Sequence, residues 1–320
     1  MVKAKLTEAQ EKLFLKQHYG LAGKHSAVKL CTWTRKSLHD EGACYKEKFY
    51  GISCHSCMQC TPVVNWCTEN CDFCWRLGAY RNQKLTGWEK PKDIVEKMII
   101  AQRRLLTGFP GGKCNMKKWK DAQNPSQIAI SLAGEPLIYP YLGKLIEEFH
   151  KRGMTTFLVT NGTLPEKLKK LKPLPTQLYI TVAAPDKRTF EKLCKPNIPN
   201  AWKKLNKTLE LLPKLKTRKV IRLTLIRNIN MYSPEKYAKL IKKASPHFVE
   251  AKGYMAVGQS RKYIGVKGMP YHKEIREFSQ KLADCLGWKI IDEQPQSSVC
   301  LIAKIDYKWR RQTDLYNFEP

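Results

Sequence analysis

Three cysteines stand close together between two tryptophans of this sequence. Cys67, Cys71 and Cys74 form a C-x3-C-x2-C pattern inside the segment Trp66–Trp75. Three thiolates can hold three irons of a [4Fe–4S] cube and leave the fourth iron open to a ligand that takes part in chemistry. A tetrahedral zinc site and a set of inert buried thiols are the alternatives. The spacing favours an iron–sulfur cluster with one open iron.

The remaining cysteines bear on the compartment in which the protein works. The chain has 12 cysteines, most of them between Cys31 and Cys74. Its first residues lack the apolar core of a signal peptide, and no apolar run reaches the length of about 18 residues that a membrane span needs. We therefore expect a cytoplasmic protein without a membrane segment, whose reduced thiols serve metal or catalytic chemistry.

The charge of the chain points to a polyanionic partner. There are 58 Lys and Arg against 28 Asp and Glu, which gives a net charge of +30. Such an excess favours nucleic acid, whereas the Lys-rich surface of a hot-adapted protein should carry more Glu as well. Two basic runs, each with a tryptophan that can stack on a base or anchor the run, are the candidate RNA contacts. They contribute Lys113, Lys117, Lys118, Lys120, Lys308, Arg310 and Arg311.

Apolar and β-branched runs alternate along the chain with segments of helical period, which predicts an α/β fold. The predicted strands span residues 62–66, 127–132, 155–160, 178–183, 219–226 and 248–256. The predicted helices span residues 92–107, 137–151, 165–171, 187–212, 234–244 and 271–286. Strands that alternate with helices pair in parallel through right-handed crossovers. Six such units are too few to close an eight-stranded barrel, so we expect a partial (βα)6 barrel, with a doubly wound sheet as the alternative.

The chemistry-bearing residues divide the chain into three parts. The Cys67 loop, Gly134-Glu135-Pro136 and Asn161-Gly162 each follow a predicted strand, and in β/α barrels the loops after the strands build the site. Residues 1–61 read as a helix followed by a cysteine-rich cap that metal holds together, and residues 62–286 form the barrel. Residues 287–320 add a short C-terminal extension with two strand-like runs and a basic tail. Residues 108–124 read as a mobile basic loop.

A cluster loop after the first strand, a Gly-Glu turn after the second and an asparagine after the third resemble the radical S-adenosylmethionine (SAM) enzymes. The resemblance runs from about residue 24 to residue 303. It implies that Cys67, Cys71 and Cys74 hold the cluster that binds SAM. It also implies that Gly134 and Glu135 receive the amino group of SAM, and that Asn161 holds its ribose or carboxylate.

The N-terminal block is similar to one family within this class, the wybutosine-pathway enzymes that make 4-demethylwyosine on tRNA. The similarity lies in Lys29-Leu30-Cys31-Thr32-Trp33, in Cys44-Tyr45-Lys46 and in the C-x12-C-x12-C spacing of Cys31, Cys44 and Cys57. Stretches around Arg222, Glu250 and Met269 also match. The resemblance implies a second [4Fe–4S] cluster on Cys31, Cys44 and Cys57.

The reaction that the resemblance implies joins two carbons of pyruvate to N1-methylguanosine at position 37 of tRNA(Phe), while SAM is cleaved to methionine and 5′-deoxyadenosine. This is carbon–carbon lyase chemistry. Pyruvate is held either by a Schiff base with Lys46, two residues from Cys44, or by the open iron of the second cluster. We further expect a monomer and an external electron donor of the ferredoxin or flavodoxin type.

Four positions depart from the family pattern. Cys54 and Cys60 add thiols beyond the six expected cluster ligands. Ala183 stands where family members usually carry Asp, so the role of that carboxylate is absent or moved. Arg227 stands where the family often has Lys, which keeps the charge and changes the geometry of any phosphate contact.

Overall fold

The computed structural model of the protein describes residues 2–76 and 84–312. Its strands are β1 (Val2–Lys3), β2 (Gly20–Leu21), β3 (Ala27–Lys29), β4 (Cys57–Thr61), β5 (Leu85–Thr86), β6 (Gln127–Ile130), β7 (Thr155–Thr160), β8 (Gln177–Thr181), β9 (Arg218–Leu225), β10 (Phe248–Gly253), β11 (Lys289–Gln294) and β12 (Val299–Ala303). Its helices are α1 (Glu8–Lys16), α2 (Thr32–Leu38), α3 (Tyr45–Tyr50), α4 (Pro91–Leu106), α5 (Met116–Ala122), α6 (Leu142–His150), α7 (Pro165–Lys169), α8 (Lys187–Cys194), α9 (Ala201–Leu211), α10 (Pro234–Ala244), α11 (Ser260–Tyr263) and α12 (His272–Leu286).

One large sheet dominates the fold, in the strand order β11-β12-β10-β9-β8-β7-β6-β4-β3-β2. The six strands from β4 to β10 pair in parallel. At each end the sheet continues in antiparallel strands, β3 and β2 on one side and β12 and β11 on the other. Helices connect the parallel strands. The expected partial (βα)6 barrel is confirmed.

The helices cover the outside of this sheet because each has one apolar face. In α4, Pro91 occupies the first turn, where no backbone donor is needed, and Ile94, Val95 and Met98 are buried. In α12, the side chain of Glu274 accepts from the Tyr271 backbone and closes a capping box at the start of the helix. Such helices form the layer that buries the outer face of the strands. Among the described helices, none combines the length and the apolar character that a membrane crossing requires.

A second apolar cluster fills the lower end of the barrel interior. It contains Phe157, Tyr179, Val220 and Phe248 from four neighbouring strands. Helix α3 is inserted into this cluster: Phe49 and Tyr50 are fully buried there, and the Tyr50 ring packs edge-on against three of the strand aromatics. The cap therefore closes the floor of the barrel.

Several predicted boundaries were wrong. The first barrel strand is Cys57–Thr61 rather than residues 62–66, so Cys57 belongs to the sheet. Residues 108–124 contain α5, which is capped by the Asn115 side chain and packs Trp119 and Ala122 against Leu38 and Leu106, so this segment is not a simple loop. The single helix predicted at residues 187–212 is divided into α8 and α9.

The sequence also predicted the structure of the N-terminal cap and of the C-terminal extension only in part. The cap has more regular structure than expected, since β3, α2 and α3 all lie in the stretch that read as irregular. The extension does contain two strands, β11 and β12, which pair with each other and continue the sheet beside β10. The last eight residues of the predicted extension lie outside the described residues.

Candidate active site

The Cys67 loop leaves β4 and is fixed by hydrogen bonds to three other segments of the chain. Glu135 N donates to Trp66 O (2.9 Å), and Asn70 N donates to Cys194 O (3.0 Å). Gln259 N donates to Trp75 O (3.0 Å), and Asn197 Nδ2 donates to Cys67 O (3.0 Å). The loop is therefore held at both ends and in its middle, and its three thiols keep their places relative to the barrel.

The three thiols line a cleft of about 110 Å³ at the ends of the parallel strands. Gly134, Glu135 and Asn161 line the same cleft, together with Glu69, Thr181 and Arg76. The structure thus brings together the six residues predicted for the SAM site. Arg76 donates to the Ser131 carbonyl at the edge of this cleft.

Gly134 makes the close approach between the turn and the cluster loop possible. Its φ is +67°, and a Cβ at this position would lie 1.9 Å from Val63 O and 2.5 Å from Trp66 O. Only glycine combines this backbone conformation with so little space. The turn that carries Glu135 can therefore lie directly against the loop that carries Cys67.

Glu135 and Asn161 join the ends of β6 and β7 to the cluster loop. The buried Glu135 carboxylate accepts from Asn161 N (2.9 Å), Thr160 Oγ1 (2.7 Å) and Leu137 N (3.1 Å). Asn161 Nδ2 donates to Thr68 Oγ1 at 2.9 Å and lies 3.8 Å from Cys67 Sγ. Both side chains hold the architecture of the cleft in addition to lining it.

Glu69 is a residue of this site that the sequence analysis missed, although it lies in the spacer between Cys67 and Cys71. It is 5% exposed, and Cys71 Sγ donates to its Oε2 at 3.2 Å, while its buried Oε1 has no partner in the described chain. Burial, together with the neighbouring Glu135, raises the pKa of Glu69 to about 8. A free buried acceptor at this point suits a ligand that brings a donor or a positive charge.

These features fit an iron–sulfur cluster with bound SAM. The loop offers three thiols, the Gly134 turn offers a cradle that no larger residue could form, and Glu69 offers an unused acceptor. SAM carries an ammonium and a sulfonium, and these positive charges would favour the ionised form of the two buried carboxyl groups. Zinc could take the three thiols and Glu69 as ligands, but it would make no use of the Gly134 turn.

A second group of cysteines lies in the cap, assembled from three different elements. Cys31 is the N-cap of α2 and accepts from Thr34 N at 3.3 Å, Cys44 is the N-cap of α3, and Cys57 is the first residue of β4. Burial and the nearby Cys31 together raise the pKa of the Cys44 thiol to about 11, so these thiols lie close enough to interact.

The structure separates the two additional thiols. Cys54 belongs to the cap group, since its Sγ accepts from Cys44 N at 3.4 Å. Its thiol pKa is raised by burial and by Cys44, Cys31 and Cys57. Cys60 is fully buried in the main core, and burial alone raises its pKa. Only Cys54 is thus available as a further thiol beside the predicted second cluster.

Lys46 lies beside this group, on the buried face of α3. It is 8% exposed, and its Nζ stands over the Tyr179 ring at 4.5 Å and over the Phe157 ring at 5.3 Å. Burial lowers the pKa of Lys46, Arg222 lowers it further, and Glu250 opposes this by favouring the charged form. A lysine whose neutral form is favoured in this way can act as a nucleophile.

Three charged residues of the barrel interior surround Lys46 and had no role in the sequence analysis. Arg222 lies on β9, and Glu250 and Lys252 lie on β10. Their signal was present in the sequence, because charged residues at every second position of an otherwise apolar strand point to one face. That face is the inside of the barrel.

The basic residues predicted to contact tRNA lie around the cap rather than around the Cys67 cleft. Lys113, Lys117 and Lys120 are exposed, and their segment is attached to the cap because Asn115 N donates to Leu38 O (2.8 Å). Lys118 is paired with Asp40 at 2.7 Å. Lys308 and Arg311 are exposed beside α3, where Arg311 Nε donates to Lys48 O (3.1 Å).

Arg310 does not lie on the surface as predicted. It is 3% exposed and forms ion pairs with Asp306 (2.6 Å) and Asp292 (3.2 Å), and it also donates to Phe49 O. Its guanidinium fastens the tail to the cap and is not available to a phosphate. Arg227 is likewise paired, with Glu274, and stands over the Tyr271 ring at 4.7 Å.

Comparison with known proteins identifies the class to which the fold and this cleft belong. The model of the radical SAM superfamily matches residues 61–241, and a model for wyosine base formation matches residues 243–304. The chain belongs to the radical SAM superfamily. Membership implies SAM and a [4Fe–4S] cluster as cofactors.

Within this superfamily the chain belongs to the family of S-adenosyl-L-methionine-dependent tRNA 4-demethylwyosine synthases. It is 53% identical over 304 residues to the family member of Pyrococcus horikoshii, covering 92% of this chain and 88% of the relative. It is 42% identical over 299 residues to that of Methanocaldococcus jannaschii, covering 91% and 94%.

Two solved structures resemble the whole chain. A structure of TYW1 with a lysine–pyruvate adduct bound superposes with a TM-score of 0.84 at 39% identity, covering 94% of this chain and 97% of the other. An archaeal TYW1 superposes with a TM-score of 0.77 at 37% identity, covering 93% and 96%. The expected fold and family are confirmed.

Proposed function

We propose that this protein is a tRNA 4-demethylwyosine synthase. It condenses N1-methylguanosine at position 37 of tRNA(Phe) with pyruvate to form the tricyclic base 4-demethylwyosine, as a carbon–carbon lyase of the radical SAM class. The observation that carries the proposal is the pairing of two sites in one barrel: an acid-lined cleft with three thiols after the strands and a buried lysine beside a second thiol group below it.

The upper site holds the radical chemistry. SAM and its cluster, when bound, supply the radical that removes a hydrogen atom from the N1-methyl group of the base. Cys67, Cys71 and Cys74 hold the cluster, and the Gly134 turn and Asn161 orient SAM. Glu69 keeps an unused acceptor directed at this cleft.

The lower site holds pyruvate through Lys46. Nζ of Lys46 attacks C2 of pyruvate, the carbonyl oxygen leaves as water, and an imine remains. Three observations support this assignment: the lysine is buried, its pKa is lowered, and a relative at 39% identity is known with a lysine–pyruvate adduct. Cys31, Cys44 and Cys57 hold a second [4Fe–4S] cluster next to this lysine.

The net charge and the family support tRNA as the macromolecular substrate. The net charge of +30 suits a tRNA, whose backbone we place along the cap through Lys113, Lys117, Lys120, Lys308 and Arg311. Position 37 must be flipped out of the anticodon stack to present its methyl group. We further propose a monomer that works in the cytoplasm and receives electrons from a separate ferredoxin-like or flavodoxin-like protein.

The test is reconstitution under anaerobic conditions with iron and sulfide, followed by SAM, dithionite, m1G37 tRNA and pyruvate labelled at C2 and C3. Mass spectrometry of the digested nucleosides should find a tricyclic nucleoside with both labels. Deoxyadenosine without any modified base would retain the radical chemistry and reject this substrate pair.

Lys46→Ala tests the pyruvate site separately. We expect it to abolish the tricyclic base while SAM cleavage continues without coupling, because the cleft after the strands is unchanged. Lys48→Ala is the matched control, since Lys48 lies on the same helix with its side chain 51% exposed and paired with Asp292. Product formation by Lys46→Ala at the wild-type rate would exclude a chemical role for this lysine.

A further inference from the structure

Among residues 2–76 and 84–312, the barrel interior contains one guanidinium without a partner, that of Arg222. Most charged side chains of the interior are satisfied by the protein. Both oxygens of Glu250 are occupied, by Tyr45 Oη and Tyr50 Oη at 2.8 Å each, and Lys252 donates to Ser297 O. Arg218 donates to the carbonyls of Gln312 (2.7 Å) and Arg310 (2.8 Å).

Arg222 differs from these residues. In the described part of the chain its guanidinium makes no hydrogen bond and no ion pair, although it carries five N–H donors. Tyr45 and Glu250 hold its pKa above the ordinary value, so the group is positively charged. Its donors are therefore free to bind an anionic ligand that enters the barrel interior.

The register of the sheet places Arg222 between the two sites. On β8 its neighbour is Thr181, which lines the Cys67 cleft, and on β10 its neighbour is Glu250. The row of residues immediately below contains Tyr179, over whose ring Lys46 Nζ stands. Arg222 therefore lies one strand away from the SAM cleft and close enough to Lys46 to lower its pKa.

The interior at this level is open to a small ligand. Along the otherwise buried strands the inward-facing residues Val159, Thr181, Arg222, Thr224 and Lys252 are all partly exposed. Alternation along the strands makes these the residues that line the barrel interior. Exposure confined to this face marks a space between the cleft and the cap.

We propose that Arg222 binds the carboxylate of the 2-oxo acid substrate and thereby orients it on Lys46. This inference rests on the proposed function. A guanidinium binds a carboxylate through two parallel hydrogen bonds, which fixes both the position and the plane of the acid. Lys46 then meets C2, and the methyl end points away from the guanidinium. Arg222 thus selects a substrate with a carboxylate next to its ketone.

The experiment uses the reconstituted protein with pyruvate and cyanoborohydride, which reduces an imine on Lys46 to a stable amine that intact-mass spectrometry counts. Pyruvamide, in which a neutral amide replaces the carboxylate, is the comparison ligand. For Arg222→Met we expect the pyruvate concentration that gives half-saturation to rise about 10- to 100-fold, the range for losing a hydrogen-bonded charge. The pyruvamide concentration that gives half-saturation should stay unchanged.

Two further variants make the result specific. Arg222→Lys keeps the positive charge but cannot form the two parallel hydrogen bonds of a guanidinium. Its half-saturating pyruvate concentration should lie between those of the wild type and Arg222→Met. Thermal melting reports whether Arg222→Met folds, and Arg222→Lys replaces it in the test if it does not. Arg276→Met is the matched control, because Arg276 is 62% exposed on α12 and should behave as the wild type.

The outcomes separate this inference from the proposed function. If wild type and Arg222→Met are half-saturated by the same pyruvate concentration, or if wild type accepts pyruvamide as well as pyruvate, the carboxylate site is rejected while the function stands. If Lys46 forms no adduct, the inference is tested by the apparent KM for pyruvate in product formation. This KM must be higher in Arg222→Met than in the wild type, while deoxyadenosine release is retained. If wild type forms neither adduct nor product, the proposed function and this inference both fall.

Discussion

The two groups of three cysteines in this barrel are built in opposite ways. Cys67, Cys71 and Cys74 lie on one loop of eight residues, fixed from outside by hydrogen bonds to other loops. The cap group takes one cysteine from each of two helix starts and one from the first barrel strand. The first group can form locally, whereas the second exists only when the cap is docked on the sheet.

Their surroundings carry opposite charge. Glu69 and Glu135 lie beside the loop cysteines and raise the pKa of Cys67, after burial. Lys46 lies beside the cap cysteines and lowers the pKa of Cys57 against the larger effect of burial. Carboxylates match the cationic groups of SAM, and cations match the carboxylate of a 2-oxo acid. In the proposed function, this difference in charge directs SAM to one site and pyruvate to the other.

The largest expected effect separates the two groups by their cysteines. Cys71→Ala should abolish deoxyadenosine release and the modified base together, because the SAM cluster is lost. Cys44→Ala should abolish only the modified base. Each variant should lose about half of the bound iron, since each such cluster holds four irons. Iron analysis and nucleoside mass spectrometry measure both effects.

Cys60→Ala is the control for the cysteine variants. Its thiol lies in the main core and outside both groups, so iron content and product should match the wild type. Full iron content in Cys44→Ala would show that the cap holds no cluster. The comparison between two metal sites would then fail.

A smaller effect should come from two glycines, one in each region. A Cβ on Gly134 would lie 1.9 Å from Val63 O, and a Cβ on Gly51, which ends α3, would lie 2.1 Å from Arg311 O. Gly134→Ala should weaken SAM binding and leave the pyruvate adduct on Lys46, because the clash displaces the turn. Gly51→Ala should do the reverse, because the clash displaces α3. Equilibrium dialysis with SAM and adduct trapping distinguish the two.

Gly153→Ala controls for backbone strain alone. Gly153 has φ +70°, close to the +67° of Gly134, but no atom lies within 4 Å of its added Cβ. Its substitution should cost only the roughly 1–2 kcal/mol of a left-handed residue and leave both ligands bound. Equal losses of SAM binding in Gly134→Ala and Gly153→Ala would mean that the close approach at the cleft is unimportant.

The smallest expected effect concerns RNA binding beside the cap. Replacement of Lys113, Lys117 and Lys120 by Gln should raise the Kd for tRNA. It should also lower the slope of log K against log salt by up to about 2, at roughly 0.7 for each phosphate that a lysine no longer neutralises. Exposed lysines on the outer helices, Lys203, Lys207 and Lys239, give the matched triple variant. An equal response of the two triple variants would place the RNA elsewhere.

The sequence predicted best what depends on local order. The strand and helix alternation predicted the barrel, because each unit shows its period within a few residues. The first strand was misplaced because Cys57 and Gln59 looked polar, while Val63 and Val64 looked like a strand but are core residues of a loop. A cysteine can be part of a strand and also bind a metal, and the residue type alone does not show that it does both.

What the sequence could not predict depends on distant partners. The sequence placed Arg310 on the surface because two of its partners, Asp292 and Phe49, lie 18 and 261 positions away in the chain. The helix α5 was hidden by its lysines, although its Trp119 Nε1 donates to Leu106 O at 2.9 Å and anchors it. Arg222 was visible as a motif residue, but only the register of three strands showed what it faces.

The insertion of α3 into the barrel floor has a consequence for the biosynthesis of the protein. Tyr45 and Tyr50 reach Glu250 across 205 and 200 positions of the chain. A ribosome that adds about 5–20 residues per second therefore releases the cap roughly 10–40 seconds before the strand it docks against. During that interval Cys31 and Cys44 lack the barrel strands against which the cap packs. The cap thiols are consequently assembled only after β10 has been translated, and the cell must keep them reduced until then.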